Sequence, residues 1–369
     1  MINQARILAE FLELVQVDSV SGQEERLAAL LMERLRELGL AVRERGCDKN
    51  GKTGNLLATL PPRGCDNYLF LCAHMDTVEP GQGVRPVVEN GIVRSSGDTI
   101  LGGDDKAGIA IILEAIRVIQ ENKLKHPGLE VVFTTGEEIG LLGARELDCR
   151  LLRSSMGYVL DCDGAPGTMV VQAPTQDKIA ALIRGRAAHA GINPEEGINA
   201  IQVASHAIAA MSLGRLDEET TANIGFISGG KAINIVPDSC RLDGETRSLN
   251  GAKCRARTAA MVSLLKDTAA RFGAQVDVVT ETLYHEFKLS PDHPAVRFAV
   301  RAAENLGLTP RLIRTGGGSD ANIFNHRGIT CVNLGIGMSK VHTCDEFIRV
   351  ADLVTSARYL LEIIRVAME

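Results

Sequence analysis

The chain has 369 residues, 45% of them hydrophobic and 23% charged, a balance that suits a folded protein with two cores better than one. Forty lysines and arginines against 46 acids leave a formal charge of −6, which offers no electrostatic footprint for nucleic acid or for an anionic membrane surface. The same figures exclude a disordered tail protein, a collagen-like chain and a disulfide miniprotein.

At the amino terminus, MINQARILAEFLELVQV carries Glu10 and Glu13 inside its apolar stretch and reads as an amphipathic helix, not a signal peptide. Ser21 and Glu24 have capping-box spacing, ahead of Leu27, Leu30, Leu31 and Leu35 at helical intervals up to Gly39. Strand-like runs follow at 55–60 and 68–73, then a mostly buried helix at 106–120 and buried strands at 129–135 and 157–161. The most apolar internal stretch, 108–119, is broken by Glu114 and Arg117 and falls short of the roughly 18 residues needed to cross a bilayer. Strands alternating with helices indicate an α/β sheet with helices on its faces.

From 178 to 282 the pattern becomes strand (179–185), helix (198–211), strand (222–228), strand (241–248), helix (252–270) and strand (274–282). That order is β-α-β-β-α-β, the ferredoxin-like arrangement. The α/β pattern then resumes with a helix at 294–307, strands at 311–315 and 329–335, and a closing helix at 351–368. The reading is a small α+β domain, 178–288, inserted into an α/β domain made of 1–177 and 289–369.

The nine cysteines, at 47, 65, 72, 149, 162, 240, 254, 331 and 344, include no CxxC pair, so neither a zinc ribbon nor a thioredoxin-like site is written here. Scattered thiols suit a reducing cytosol, and a cytoplasmic protein is expected. Other chemistries fail on single residues. Ser319 in GGGSDA lacks the second glycine of a nucleophile elbow, and His285-Glu286 is followed by Leu289 where HExxH needs histidine. Gly225 to Lys231 spells GxxxxGK, yet Ala232 stands where Ser or Thr must reach magnesium. No GxGxxG is present for a dinucleotide.

Five segments do place acids or histidines just past strand ends, where open α/β sheets build their sites. In LCAHMDT, His74 and Asp76 are two apart and point the same way in extended chain, so Asp76 can accept from the imidazole N–H and fix its tautomer. In LGGDDKAG, aspartates open the helix at 106; such residues are ordinary caps, but Asp104 precedes the cap region and is free to bridge cations. In TTGEEIG, adjacent carboxylates repel unless a cation or proton is shared; with Glu138 on a metal, Glu137 can serve as general base. In VLDCDG, Asp161 ends a buried run and needs a partner there. In VHTCDE, His342 lies in a loop after 329–335. Each alone is equally readable as a solvated pair, a cap or a turn. Together they put two histidines and several carboxylates at one sheet edge, a donor set that suits zinc, manganese or cobalt. The neighbouring cysteines 72, 162 and 344 read as core thiols on the opposite face.

The ordered set HMDT, GGDDKAG, TGEEIG, LDCDG and late His342 resembles the M20 family of dizinc metallopeptidases, and within it the peptidase T (tripeptide aminopeptidase) branch. The resemblance spans nearly the whole chain. It implies a mixed-sheet α/β zinc-peptidase catalytic domain with an inserted ferredoxin-like α+β domain that acts as lid and dimerisation module. It implies two zinc ions per subunit, with cobalt or manganese as substitutes: His74 and Asp161 on one, Glu138 and His342 on the other, Asp104 bridging. Asp76 would orient His74, and Glu137 would deprotonate the bridging water and act later as acid. His189 in RAAHAG matches an oxyanion-stabilising histidine that often reaches in from the partner subunit. Asn234 and Arg247 match positions that bind the substrate's terminal carboxylate, and the late loop adds Gly317 and Ser319 as substrate contacts. The implied partners are a short peptide and a second copy of the chain, with no nucleic acid and no membrane.

One departure stands out. Peptidase T reads RGGTDG in the late loop, whereas this chain reads GGGSDAN with Gly316 in place of the arginine. That loss of a bidentate carboxylate donor leaves open an aminoacylase or another N-acyl amino acid amidohydrolase on the same metal site. A non-catalytic binding protein and a single-metal lyase or deaminase are the readings from other classes. Every proposed ligand and Glu137 being present speaks against the first, and metal stoichiometry separates the second.

Overall fold

The computed structural model describes residues 2–45 and 53–369, so Cys47 lies outside the described residues. The chain divides into two units. The first holds 1–171, 288–314 and 319–369, and the second 172–287 with 315–318.

The first unit is built on a mixed sheet. Four strands at its centre run parallel: Gly128–Thr134, Tyr68–His74, Met156–Cys162 and Thr330–Gly335, in that spatial order. Their sequences are near-continuous apolar runs, as strands covered on both faces must be. Asn55–Leu60 joins one side antiparallel, followed by Ala41–Arg45, and Thr168–Ala173 pairs antiparallel on the other side of Thr330–Gly335. The helices Gln4–Val15, Gly103–Glu121, Pro294–Asn305 and Val350–Val366 share one buried apolar cluster with these strands, including Phe11, Leu14, Ile112, Ile116, Leu360 and Ile363.

A smaller antiparallel sheet orders Met338–Ser339, Phe347–Arg349, Ile92–Ser95 and Pro86–Glu89. The sequence reading had no element at these four places, nor at the short helix Asp320–His326. Strands of two to four residues are too brief to show an alternation.

The second unit is one antiparallel sheet in the order Gly214–Arg215, Thr220–Gly229, Ser239–Ser248, Thr175–Arg184, Gln275–Tyr284. With the helices Ala200–Ala210 and Gly251–Arg271 it is a ferredoxin-like β-α-β-β-α-β unit plus one short edge strand. Its core is separate and includes Ile179, Ile183, Val203, Ala207, Met261 and Leu265.

The expected capping box at Ser21 does not form. The helix Glu25–Glu37 starts without a side-chain cap. Ser21 Oγ instead donates to Asp76 Oδ2 at 2.7 Å, and Glu24 accepts from the backbone N–H of Gly22 and Gly136 at 2.9 and 3.1 Å. A buried acceptor for Ser21 and a distant N–H donor for Glu24 outcompeted the local cap.

Candidate metal centre

The parallel strands end at one edge, and the side chains of interest sit there. His74 closes the strand Tyr68–His74, Glu137 and Glu138 follow Gly128–Thr134, and Asp161 lies in the last turn of Met156–Cys162. Asp104 sits in the irregular first turn of the long helix Gly103–Glu121. Its neighbour Asp105 does the capping, Oδ1 accepting from Gly108 N at 3.1 Å, and Asp104 itself keeps a non-helical backbone. Gly102 turns the chain just before it with φ of +72°, a conformation open to glycine.

Asp104 is the centre of the arrangement. Its Oδ1 lies 3.0 Å from His74 Nε2, and its Oδ2 lies 3.2 Å from His342 Nε2. Asp161 Oδ1 is 3.7 Å from His74 Nε2, and Glu138 Oε1 is 2.9 Å from His342 Nε2. His74, Asp104 and Asp161 form one group with ligand atoms within 4.8 Å of each other, and Asp104, Glu138 and His342 form a second. Glu137 joins Glu138 and His74 in a third. One carboxylate thus presents an oxygen to each of two three-residue groups.

His342 is carried on the turn between Met338–Ser339 and Phe347–Arg349, half exposed and with φ of +63°. A left-handed backbone is uncommon outside glycine, though histidine enters it more readily than most, and Lys340 in the same turn shares it. The turn is tied to the Asp104 loop by Glu346, which is 1% exposed. Its Oε2 accepts from Leu101 N and Gly102 N at 2.9 and 2.8 Å, and its Oε1 from Asp104 N at 3.0 Å.

Asp76 holds His74 through its backbone oxygen where its carboxylate is expected to do so. His74 Nδ1 bonds the backbone oxygen of Asp76 at 2.9 Å, while the carboxylate stands 3.6 Å away. That carboxylate grips the other loop, accepting from Glu137 N at 2.9 Å and Glu138 N at 3.2 Å. The i, i+2 geometry gave the right neighbours, but backbone donors claimed the carboxylate. Asp76 therefore fixes both the histidine and the glutamate pair.

The electrostatics are those of a cluster short of positive charge. Burial, then repulsion from Asp104 and Glu138, pushes Asp161 up to about 7, against the opposing pull of His74. Burial, then Asp161, drives Glu137 well above the usual carboxylate range. Hydrogen bonds to Asp104 and Glu138 raise His342 to about 10. Burial lowers His74, but Asp104, Asp161 and Asp76 outweigh it and hold the ring well above its ordinary value. Asp104 goes the other way, burial being overcome by the two histidines.

A divalent cation fits this donor set. Glu138 Oε1 is buried and stands 2.9 Å from His342 Nε2, a close pair of metal-ligand atoms with Asp104 Oδ2 beside it, and a shared cation would satisfy all three. Nitrogen and oxygen donors in this mixture suit zinc, cobalt or manganese.

Other expected residues lie elsewhere. His189, Asn234, Arg247 and Gly317 belong to the second unit, and Ser319 to the first. His189 and Asn234 lie on adjoining segments, where His189 bridges to Ile235 and Ala190 N donates to Asn234 O at 2.9 Å. Gly191 N donates to His189 Nδ1 at 3.1 Å, which leaves the proton on Nε2. Arg247 is paired with Glu245, Nε to Oε1 at 2.9 Å and Nη2 to Oε2 at 3.1 Å. Ser319 is buried, with its N–H donating to Asn322 Oδ1 at 3.1 Å. Cys72 and Cys162 are buried as expected, but Cys344 is exposed and donates to Asp98 O at 3.4 Å, because its turn lies at the surface.

The sequence gives Glu24 only the part of a helix cap, and gives Glu346 and Asp320 no part in the site. Asp320 is buried beneath the site, accepts from Thr134 Oγ1 at 2.5 Å, and is pushed up to about 6 chiefly by burial. The only signal in the sequence was an acid next to an apolar run, which is common without function.

Peptidase family M20/M25/M40 matches residues 70–366. The Bacillus subtilis (strain 168) protein YqjE is 44% identical over 369 residues, the full length of both chains. The crystal structure of aminopeptidase PepT from Bacillus cereus ATCC 10987 is similar at 44% identity and a TM-score of 0.89, covering 100% of each chain. A tripeptidase from Staphylococcus aureus subsp. aureus mu50 shares 42% identity and a TM-score of 0.94, over 100% of this chain and 99% of its own.

Proposed function

The chain belongs to peptidase family M20/M25/M40, a family of metal-dependent hydrolases that cleave peptides, and on that premise we propose a dizinc aminopeptidase acting on tripeptides. The observation that carries the reading is the Asp104 carboxylate, which offers one oxygen toward each histidine. His74 and Asp161 would hold one zinc, Glu138 and His342 the other, and Asp104 both; cobalt or manganese would serve in the same donor set. When bound, such a pair supplies Lewis-acid polarisation of the scissile carbonyl and a water of lowered pKa.

The protein's own groups do the rest. Glu137, held by its backbone N–H on Asp76, takes the proton of the attacking water and returns it to the leaving amine. His189, whose proton sits on Nε2, donates to the oxygen that gains charge. Asn234 and Arg247 take the carboxyl end of the peptide, with Gly317 and Ser319 as further contacts.

The second unit is proposed as the lid and dimerisation module, corresponding to 178–288. Among the described residues its strand Thr220–Gly229 is paired on its outer side at Thr220 to Ala222, which leaves 223–229 as an edge. Phe226, Ile227, Ile192 and Ile233 are exposed in the same unit, as a homodimer interface requires. A cytoplasmic location is supported by cysteines that are all free among the described residues, none of whose helices is long and apolar enough to cross a membrane.

The test is Glu137→Ala, assayed on tripeptides and N-acetyl amino acids by mass spectrometry with metal content measured alongside. Loss of turnover with both metals retained is expected. Loss of metal as well would overturn the division of labour between Glu137 and Glu138. Deacylation without removal of the first residue of tripeptides would make the protein an aminoacylase on this site.

A further inference from the structure

Arg247 is not a free cation. Glu245 lies two residues earlier on the strand Ser239–Ser248, so both side chains leave the same face. The carboxylate engages the guanidinium side-on, Oε1 to Nε at 2.9 Å and Oε2 to Nη2 at 3.1 Å, the bidentate geometry that gives such pairs their strength. Gln176, opposite Arg247 on Thr175–Arg184, donates its amide to the same Oε2 and keeps Glu245 in place. Both members are about one-third exposed, at 33% and 29%, so the pair borders on solvent where a ligand can reach it.

The Tyr284 hydroxyl also engages the guanidinium, so what faces a ligand is part of its outer edge. Nη1 there points to the carbonyl oxygen of Gly316 at 3.5 Å. The glycine run is drawn in close, since a side chain on Gly318 would begin 2.2 Å from the Tyr284 ring. The loop that lacks an arginine of its own thus lies against one supplied from the sheet, but one already neutralised.

We propose that Glu245 is a specificity-determining residue that cancels the charge of Arg247, so the enzyme does not select peptides by a free terminal carboxylate. A substrate carboxylate gains no net cation at this place, and a carboxamide can accept from Nη1 as well. The site therefore takes carboxyl-terminal amides and longer peptides alongside free tripeptides. This rests on the reading of Arg247 as a contact for the peptide's carboxyl end.

The experiment compares a tripeptide with its carboxyl-terminal amide, as kcat/KM, for the zinc-loaded wild type and Glu245→Gln. Thermal unfolding of the variant is followed alongside. In the wild type the acid and amide should differ by less than about threefold. In Glu245→Gln the acid should gain about tenfold over the amide, through KM and not kcat, as one restored charge-assisted contact implies. A wild type that already prefers the acid more than about tenfold would overturn the proposal while leaving the peptidase reading intact, and this arm needs no variant. A folded Glu245→Gln with an unchanged ratio would overturn it too. If the wild type cleaves neither peptide with zinc, cobalt or manganese, the peptidase reading itself fails and the proposal falls with it.

Discussion

Removing the carboxylate of Glu346 strips three backbone N–H groups of their acceptor, those of Leu101, Gly102 and Asp104, all buried. An unsatisfied buried donor costs roughly 1–3 kcal/mol, and water entering the vacated volume recovers part of that. For Glu346→Ala a net loss of about 3 kcal/mol in the metal-free protein is the expected size, read from urea unfolding. The loop so released carries Asp104, and the turn that releases it carries His342. Zinc affinity by titration calorimetry should therefore fall at least about tenfold, the equivalent of about 1.4 kcal/mol. Glu346→Gln keeps one acceptor oxygen and should lie between the wild type and alanine. An alanine variant that loses under about 1 kcal/mol and binds zinc as tightly as the wild type would show that the three bonds do not hold the site.

Two further outcomes follow from the same geometry. Asp161 and Glu346 are raised to about 7 and His342 to about 10, so each binds its proton more tightly folded than unfolded. That stability is complete below the unfolded values and is lost as pH rises through the folded ones, so the metal-free protein should unfold more easily at about pH 8.5 than at about pH 5.5. Zinc should flatten or reverse the trend, and a metal-free protein that gains stability with rising pH would contradict the assignment. Gly108→Ala would set a methyl 2.4 Å from Asp105 Oδ1 and 2.5 Å from Leu160 O. Pushing the helix from the strand that bears Asp161 should cost about 1–3 kcal/mol and reduce metal loading, measured by urea unfolding and metal analysis.

The parallel strands were legible because each is a run of apolar residues, as in LEVVFTT, and the second unit because its strands and helices alternate at full length. The gathering of His74, Glu137, Glu138 and Asp161 could be inferred because they lie at the ends of parallel strands, whereas Asp104 and His342 reach the same edge from a helix start and a turn. What escaped was settled by long-range hydrogen bonds. Ser21 and Glu24 have every local feature of a cap, yet Asp76 and Gly136 N–H offered buried partners that no spacing announces. Glu346 finds its donors 242 to 245 residues away, and nothing near it in sequence points there. Cys344 is exposed where a core thiol on the opposite face is expected, because a turn as short as 340–346 has no alternation to carry that argument.

The strand Thr330–Gly335 sits between Met156–Cys162 and Thr168–Ala173, although the whole stretch 172–287 is made before it. During synthesis the first half of the chain must keep two strands apart, or let them part, until a late strand slides between them. His342 and Glu346 arrive only behind that strand. Four of the five proposed ligands are thus made by residue 161 and form an unfinished cage until His342 follows. A ribosome stalled before residue 330 would display a first unit still open at its middle, with apolar strand edges exposed to chaperones.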